Sequence, residues 1–542
     1  MGTEHYDVIV IGSGAGGGTV AHALSATPAR LLIVERGDFV PQEPENADPA
    51  AVWKLLRYRA TEHWLDRAGQ SFRPYTHYCV GGNTKFWGSV LYRLRREDFQ
   101  ALEHLDGLSP EWPVDYDTLA PYYDRAERLY HVHGEHGIDP TEPPRGPYPY
   151  PAIPHAARMA EVVEQLRAQG LHPSPLPLGL VNPGEPQGCI LCNTCNSFPC
   201  RLLVKAEADV LGVRPSLRRG NVTLWTRSKA LRLLTDGAGG KVVAAEIERD
   251  GKVVRVEGSL FVVSCGAVNS AALLLQSANA AHPNGLANSS GLVGRRYMAH
   301  LATMMQGFYP FRVNDTVFQK TVGINDFYLR GPDTPYPLGQ IQSQGRTHGV
   351  MAQIVVPWIP LWAYEAWVAR GVDWLAMSED LPRDENRVVV APSGQIQLHY
   401  RPNNLAAHKK LVKQAYRILW KLGAWSIVKH SHQEQNTTHQ CGTLCFGTDP
   451  RRSVLDPYCR AHDVENLFVV DASFFPSSAA VNPALTIVAQ ALRASDHMLE
   501  TDLKAFRGAA ARTGDAAQPM GEAGAATVVS AAAAVGAPGE AR

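Results

Sequence analysis

This sequence contains no run of about 18 consecutive apolar residues, so hydropathy predicts no membrane-crossing helix. Neither sign of charge is in surplus. Fifty-two Lys and Arg stand against 52 Asp and Glu, which leaves no broad field to favour nucleic acid or an anionic membrane. Met1-Gly2-Thr3-Glu4-His5 runs almost at once into an apolar strand. That leaves no room for a basic leader and an apolar signal segment, and predicts a cytoplasmic protein. Cysteine is sparse, and five of the nine, at 79, 265, 441, 445 and 459, read as buried small hydrophobes. Past about Phe506 the chain is rich in Ala and Gly and short of large apolar side chains. It has too little surface to bury against its ordering entropy, and 506–542 is expected to be a disordered tail.

What is present begins with Asp7-Val8-Ile9-Val10-Ile11-Gly12-Ser13-Gly14-Ala15-Gly16-Gly17. This reads as a buried parallel strand entering a glycine turn and a helix. Gly12 permits the tight turn, Gly14 lets backbone approach a pyrophosphate, and Gly17 lets helix pack close on strand. Phosphates would sit at the helix N-terminus, where unpaired N–H groups and the macrodipole favour negative charge. A second strand, Arg30 to Val34, ends at Glu35, whose carboxylate is placed for ribose hydroxyls. Two strands, the glycines and an acidic residue about 20 positions on together predict a bound dinucleotide.

Further along, helices are expected over Leu119–Leu129, Ala156–Gln169, Ala406–Leu422 and Ala484–Leu499. Residues 138–154, crowded with proline, should be irregular. Strands are expected at Val222–Trp225, Val242–Ile247, Val253–Val256, Phe261–Gly266 and Asn466–Asp471. Alternating segments between about 301 and 435, among them Val322–Leu329 and Ile396–Tyr400, predict an antiparallel sheet in a second domain that covers the cofactor and binds substrate.

Four cysteines cluster as Cys189-x2-Cys192-x2-Cys195-x4-Cys200, with Pro199 before the last. Spacing of this kind can hold an iron–sulfur cluster, though it departs from the C-x2-C-x2-C-x3-C-P run of ferredoxins. The same four could bind zinc or another metal, form disulfides, or remain free thiols bracing a proline-rich loop.

In their order, four segments give the chain its likeness to a known family: Gly12–Glu35, the Gly81-Gly82-Asn83 to Gly88 turn, Trp112–Gly134, and His439 to about Leu499. The chain resembles the glucose–methanol–choline (GMC) flavin oxidoreductases, and most closely the pyranose oxidase-like and sugar dehydrogenase-like members. The resemblance implies an α/β fold with a discontinuous Rossmann-type FAD-binding domain and an α+β substrate domain on a mostly antiparallel sheet. FAD-binding parts are expected at 1–135, 201–300 and 439–505. A substrate-domain segment with the cysteine loop would span 136–200, and the substrate-binding domain 301–438.

The resemblance also identifies the dinucleotide as FAD. His439, in His439-Gln440-Cys441-Gly442-Thr443, and Asn482, in Asn482-Pro483, match the family's active-site pair. Asp471 matches its acidic residue near the ribityl and pyrophosphate, and Asn482, Pro483 and Thr486 match positions beside the isoalloxazine ring. Gly82, Asn83, Trp87, Gly88, Ala230 and Ala472 complete the implied cofactor contacts. Some relatives attach flavin through a histidine in the turn after the double glycine. Here that position holds Phe86, so FAD should be non-covalent there.

The implied reaction oxidises a CH–OH group of a sugar, glycoside or related alcohol to a carbonyl. His439 would take the hydroxyl proton, near its ordinary pKa of about 6.5, and hydride would pass to flavin N5. Asn482 would hold the substrate oxygen and stabilise developing negative charge. His432 is the fallback base. Electrons would leave to oxygen, a quinone or a redox protein. Oxidation of aliphatic or sterol alcohols and a non-redox flavin-containing lyase are the competing readings.

Overall fold

Strand His5–Ile11 sits in the middle of a seven-stranded sheet, and its last four residues are buried on both faces. That double burial is why it reads as one continuous apolar run. It pairs in parallel with Leu31–Val34 on one side and Lys252–Val263 on the other. Val222–Trp225 extends the sheet beyond Leu31–Val34, also in parallel. Beyond Lys252–Val263 the ladder turns antiparallel through Val242–Arg249 and Ser228–Thr235. Leu467–Val469 returns from far along the chain to pair in parallel with Phe261–Val263. This computed structural model describes residues 4–431 and 435–506. The fallback base His432 and the tail expected to be disordered, from residue 507 on, lie outside them.

Two expected strands, Val253–Val256 and Phe261–Gly266, are one twelve-residue strand. Gly258 does not break it. A Cβ there would lie 2.8 Å from the Ile9 side chain, so the glycine admits the neighbouring strand. Helix Ala15–Leu24 packs against helix Ala484–Thr501, which also carries Tyr116–Leu129.

A second sheet has six strands in the order Ser426–Ser431, Leu301–Phe308, Gly371–Ser378, Gln340–Ser343, Val322–Ile324 and Ser174–Pro175. Every pairing in it is antiparallel. The strand expected over Val322–Leu329 stops at Ile324, because Tyr328 N–H closes a turn onto Asn325 O. Alternation divides the sheet's faces. Met305, Trp374 and Ile341 join a core with Leu411 and Ile418 of helix Leu405–Lys421. Their neighbours Met304, Leu375 and Gln342 face the other way and line a cavity. Among the described residues, no helix is long and apolar enough to cross a membrane.

Candidate active site

The cavity, of about 790 Å³, lies between the edge of the parallel strands and the second sheet. Its volume is in the range of cofactor and ligand sites. Gly12, with φ +98°, makes the turn out of the first strand. A Cβ on Gly17 would collide with the Gly12 carbonyl, so Gly17 sits off the cavity and serves helix packing. Gly16 is equally constrained, since a Cβ there would collide with Val470 O. Gly14 differs. It lines the cavity, and a Cβ on it would meet nothing within 4 Å, so the space over the helix N-terminus is an open cradle.

Glu35 is buried at the end of the second strand and lines the same cavity. Ser13 N–H and Oγ–H donate to its Oε2 at 3.2 and 2.6 Å, and Gly37 N–H donates to Oε1 at 2.9 Å. Burial pushes its pKa up, against these hydrogen bonds. Ser13 Oγ in turn accepts from Gly81 N–H at 3.0 Å, which ties the double-glycine turn to the fingerprint. That turn, through Gly82, Asn83, Trp87 and Gly88, forms one cavity wall, and Ala230 another. Beneath it Lys85 donates to Glu207 and Asp209 at 2.6 and 2.8 Å, all three buried.

Asp471 follows the last parallel strand and lines the cavity with Ala472. Its Oδ2 accepts from Gly266 N–H and Ser270 Oγ–H, and its Oδ1 from Ser473 N–H. It thereby joins two strand ends at the cavity floor, and burial raises its pKa. Phe86 stacks on His77 with ring centroids 3.7 Å apart. Thr486 is not a cavity residue. It is fully buried and bonds Tyr123 OH at 2.8 Å, because the register of helix Ala484–Thr501 turns that position toward Tyr116–Leu129.

His439, Asn482 and Pro483 all line the cavity. Asn482 Oδ1 is buried with no protein partner. His439 Nδ1 lies 3.0 Å from Nδ1 of His300, a residue the sequence reading missed. The pairing follows from register. Met298 and Cys441 form an antiparallel bridge, which sets the residues two beyond and two before it opposite each other. His300 Nε2 is 3.0 Å from Ser478 O, so that nitrogen donates. Burial lowers the His300 pKa and keeps the ring neutral. Its Nδ1 is therefore an acceptor, and the proton between the rings belongs to His439 Nδ1. That tautomer leaves Nε2 as the basic nitrogen of His439.

The cysteine loop does not assemble the expected ligand set. Cys189 is buried, and Cys192, Cys195 and Cys200 are half-buried and free. They stand close enough that the other three raise Cys189, which burial above all pushes up to about 12. Among the described residues, no group of three or more His, Cys, Asp or Glu is arranged to hold a metal ion. What shapes the loop is Lys205, whose Nζ donates to the carbonyls of Cys195, Phe198, Trp87 and Lys85. Of the five other cysteines, four are buried and Cys265 is half-buried at the cavity.

A glycine cradle at a helix N-terminus, a buried carboxylate at the end of the second strand and a cavity beneath a second sheet define an α/β dinucleotide-binding protein. Family models described as GMC oxidoreductase match residues 6–302 and 382–491, and the chain belongs to this family of FAD-dependent oxidoreductases. It is 31% identical over 518 residues to paromamine 6'-oxidase of Streptomyces fradiae, covering 90% of each chain. It is 25% identical over 547 residues to the fructose dehydrogenase large subunit of Gluconobacter japonicus, covering 92% of this chain and 98% of that one. Among solved structures it resembles pyridoxine 4-oxidase from Mesorbium loti, with a TM-score of 0.66 and 19% identity, covering 91% and 99% of the two chains. The open space over Gly14 at the helix N-terminus would admit a pyrophosphate, and the unpartnered Asn482 Oδ1 on the same cavity would accept a ligand's hydrogen bond, so the residues present fit FAD.

Proposed function

We propose that this protein oxidises a CH–OH group of a sugar, glycoside or related alcohol to a carbonyl, with His439 as the base and Asn482 positioning the substrate oxygen. The observation that supports this reading is the Ser478–His300–His439 chain, which orients the His439 ring in a cavity it shares with Asn482. His439 Nε2 takes the hydroxyl proton, and the charge it gains is shared with the neutral ring behind it. Asn482 donates from its carboxamide to the substrate oxygen, fixing which hydrogen of the carbinol carbon points inward. Gly12, Gly14, Glu35 and Asp471 would hold FAD, whose chemistry when bound would be that of the hydride acceptor. Phe86 offers no nucleophile for a covalent link at its position. Relatives named for oxidation of an aminoglycoside and of fructose support a carbohydrate alcohol as the substrate class.

The test is anaerobic mixing of the FAD-loaded protein with a panel of sugars, glycosides, aliphatic alcohols and sterols. Bleaching of oxidised flavin by a sugar or glycoside is the expected result. Turnover that leaves the flavin oxidised would establish a lyase instead, and bleaching by sterols or aliphatic alcohols alone would move the substrate class.

A further inference from the structure

The substrate sheet presents an orderly row to the cavity. By strand register His430 stands beside Met304, Met304 beside Leu375, and Leu375 beside Gln342. All four line the cavity. Gln342 is fully buried, yet neither its Oε1 nor its Nε2 has a protein partner. Gln344, one step further along the same edge, also lines the cavity with an unpartnered, buried Oε1. Beside them Lys320 reaches in from the preceding segment and donates to Asn196 Oδ1 at 2.7 Å. Gly88 lies against both, since a Cβ on it would collide with the Lys320 ammonium and the Asn196 oxygen.

Buried carboxamides left without partners are costly, so such groups are kept where a ligand supplies the missing hydrogen bonds. Two carboxamides, each with a donor and an acceptor, match hydroxyl groups, which are themselves both donor and acceptor. The charge pattern narrows the ligand further. The carboxylates lining the cavity among the described residues are Glu35, Glu62 and Asp471. Each is already engaged: Glu35 by Ser13 and Gly37, Glu62 by Arg36 and Tyr78, and Asp471 by Gly266, Ser270 and Ser473. None stands in the row of Gln342. The neighbouring ionisable groups there, Lys320 and His430, are basic. Burial above all, with Lys205 adding to it and Cys195 opposing it, pulls Lys320 down to about 7, so this wall of the cavity disfavours positive charge.

We infer that Gln342, Gln344 and Lys320 form a hydroxyl-binding subsite that selects an uncharged polyhydroxy substrate and disfavours amino sugars. The inference rests on the proposed alcohol oxidation and sharpens it. The chain would then differ in substrate from the paromamine oxidase it resembles in sequence. Gln342 is two strands from Leu301–Phe308, a separation of about 10 Å. Since Leu301 follows His300 directly, a substrate reaching from base to subsite needs at least the length of a sugar ring.

The experiment uses the FAD-loaded protein with neutral hexoses, hexitols and methyl glycosides, each matched to an amino counterpart, together with paromamine. Binding is read by calorimetry and reduction by anaerobic flavin bleaching. Neutral compounds should bind and reduce at least about tenfold better than their amino counterparts, the scale on which a site built for hydrogen bonding discriminates. Gln342→Leu, with its FAD content verified, should raise KM for the preferred sugar about tenfold and change kcat less. Lys320→Met should narrow the gap between neutral and amino compounds. Preference for paromamine or amino sugars, or a Gln342→Leu variant with unaltered sugar affinity, would overturn the subsite. Sugars that bind with this selectivity but never bleach the flavin would leave the subsite standing and sink the oxidation chemistry.

Discussion

His300 Nδ1 lies 3.0 Å from His439 Nδ1, and the proton between them belongs to His439 because His300 spends its own on the Ser478 carbonyl. In the proposed reaction this makes the two histidines unequal. His439→Ala removes the base, and flavin reduction by substrate should fall about a hundredfold or more with FAD still bound. His300→Phe keeps a ring in place but frees His439 to adopt either tautomer. Its reduction rate should fall about 10- to 100-fold, the range seen when an orienting partner is lost, and the pH profile of reduction should move. Stopped-flow reduction across pH separates the cases. A His300→Phe profile superimposable on the parent's would mean that the contact is only packing.

Two glycines of the first turn, Gly14 of the fingerprint and Gly16 beside it, should fail differently. A methyl at Gly14 projects into the open cradle, whereas a methyl at Gly16 meets the Val470 carbonyl. Gly14→Ala should therefore fold with the parent's apoprotein melting temperature and lose FAD affinity. Gly16→Ala should melt lower even without cofactor, because strand Leu467–Val469 and the helix cannot keep their spacing. Calorimetry of apoproteins and flavin titration distinguish the two.

Under the double-glycine turn, Lys85 is the cation between two buried carboxylates, Glu207 and Asp209. Losing it leaves Glu207 without its ion-pair partner and Asp209 with Arg214 alone, a change that costs about 3–5 kcal/mol. Lys85→Met should show that loss in denaturant melts. Adding Glu207→Gln to Lys85→Met should recover part of it. If the double variant is no more stable than the single one, the loss comes from packing of the lysine stem and not from charge.

What the residues disclosed depended on how local the constraint is. The Gly12–Glu35 unit was legible because phosphate binding and strand–helix packing demand particular residue types within one βαβ stretch. His439 is a candidate through family resemblance alone, since a histidine in a small-residue loop carries no signal of its own. His300 was not legible at all. It meets His439 across 139 positions of chain, through a bridge between Met298 and Cys441 whose register nothing local announces. Gln342 was hidden similarly, as a polar residue in a strand whose facing cavity exists only after three antiparallel pairings are made. Thr486 was misplaced because one residue's rotation on a helix decides between cavity and core. The cysteine spacing suggested ligands, but the loop is built around the Lys205 ammonium and carbonyl oxygens instead.

A buried acid gives the molecule a pH signature of its own. Asp98 accepts from Arg95 N–H and Tyr328 OH on Oδ2, and Tyr328 OH in turn accepts from Ala480 N–H, two residues before Asn482. Burial, and then nearby Glu379, raises Asp98 from 3.8 to about 7. Its folded pKa exceeds its unfolded one, so between about 4 and 7 the folded chain holds a proton that the unfolded chain has released. The stability this contributes is full below about 4 and is lost as pH rises to 7. Asp98→Asn keeps an acceptor for both donors and removes the titration. Its melting temperature relative to the parent should therefore climb between pH 5 and pH 8 and level off above that. A difference that stays constant across this range would place the proton elsewhere, with Asp98 ionised throughout and Arg95 as its counter-charge.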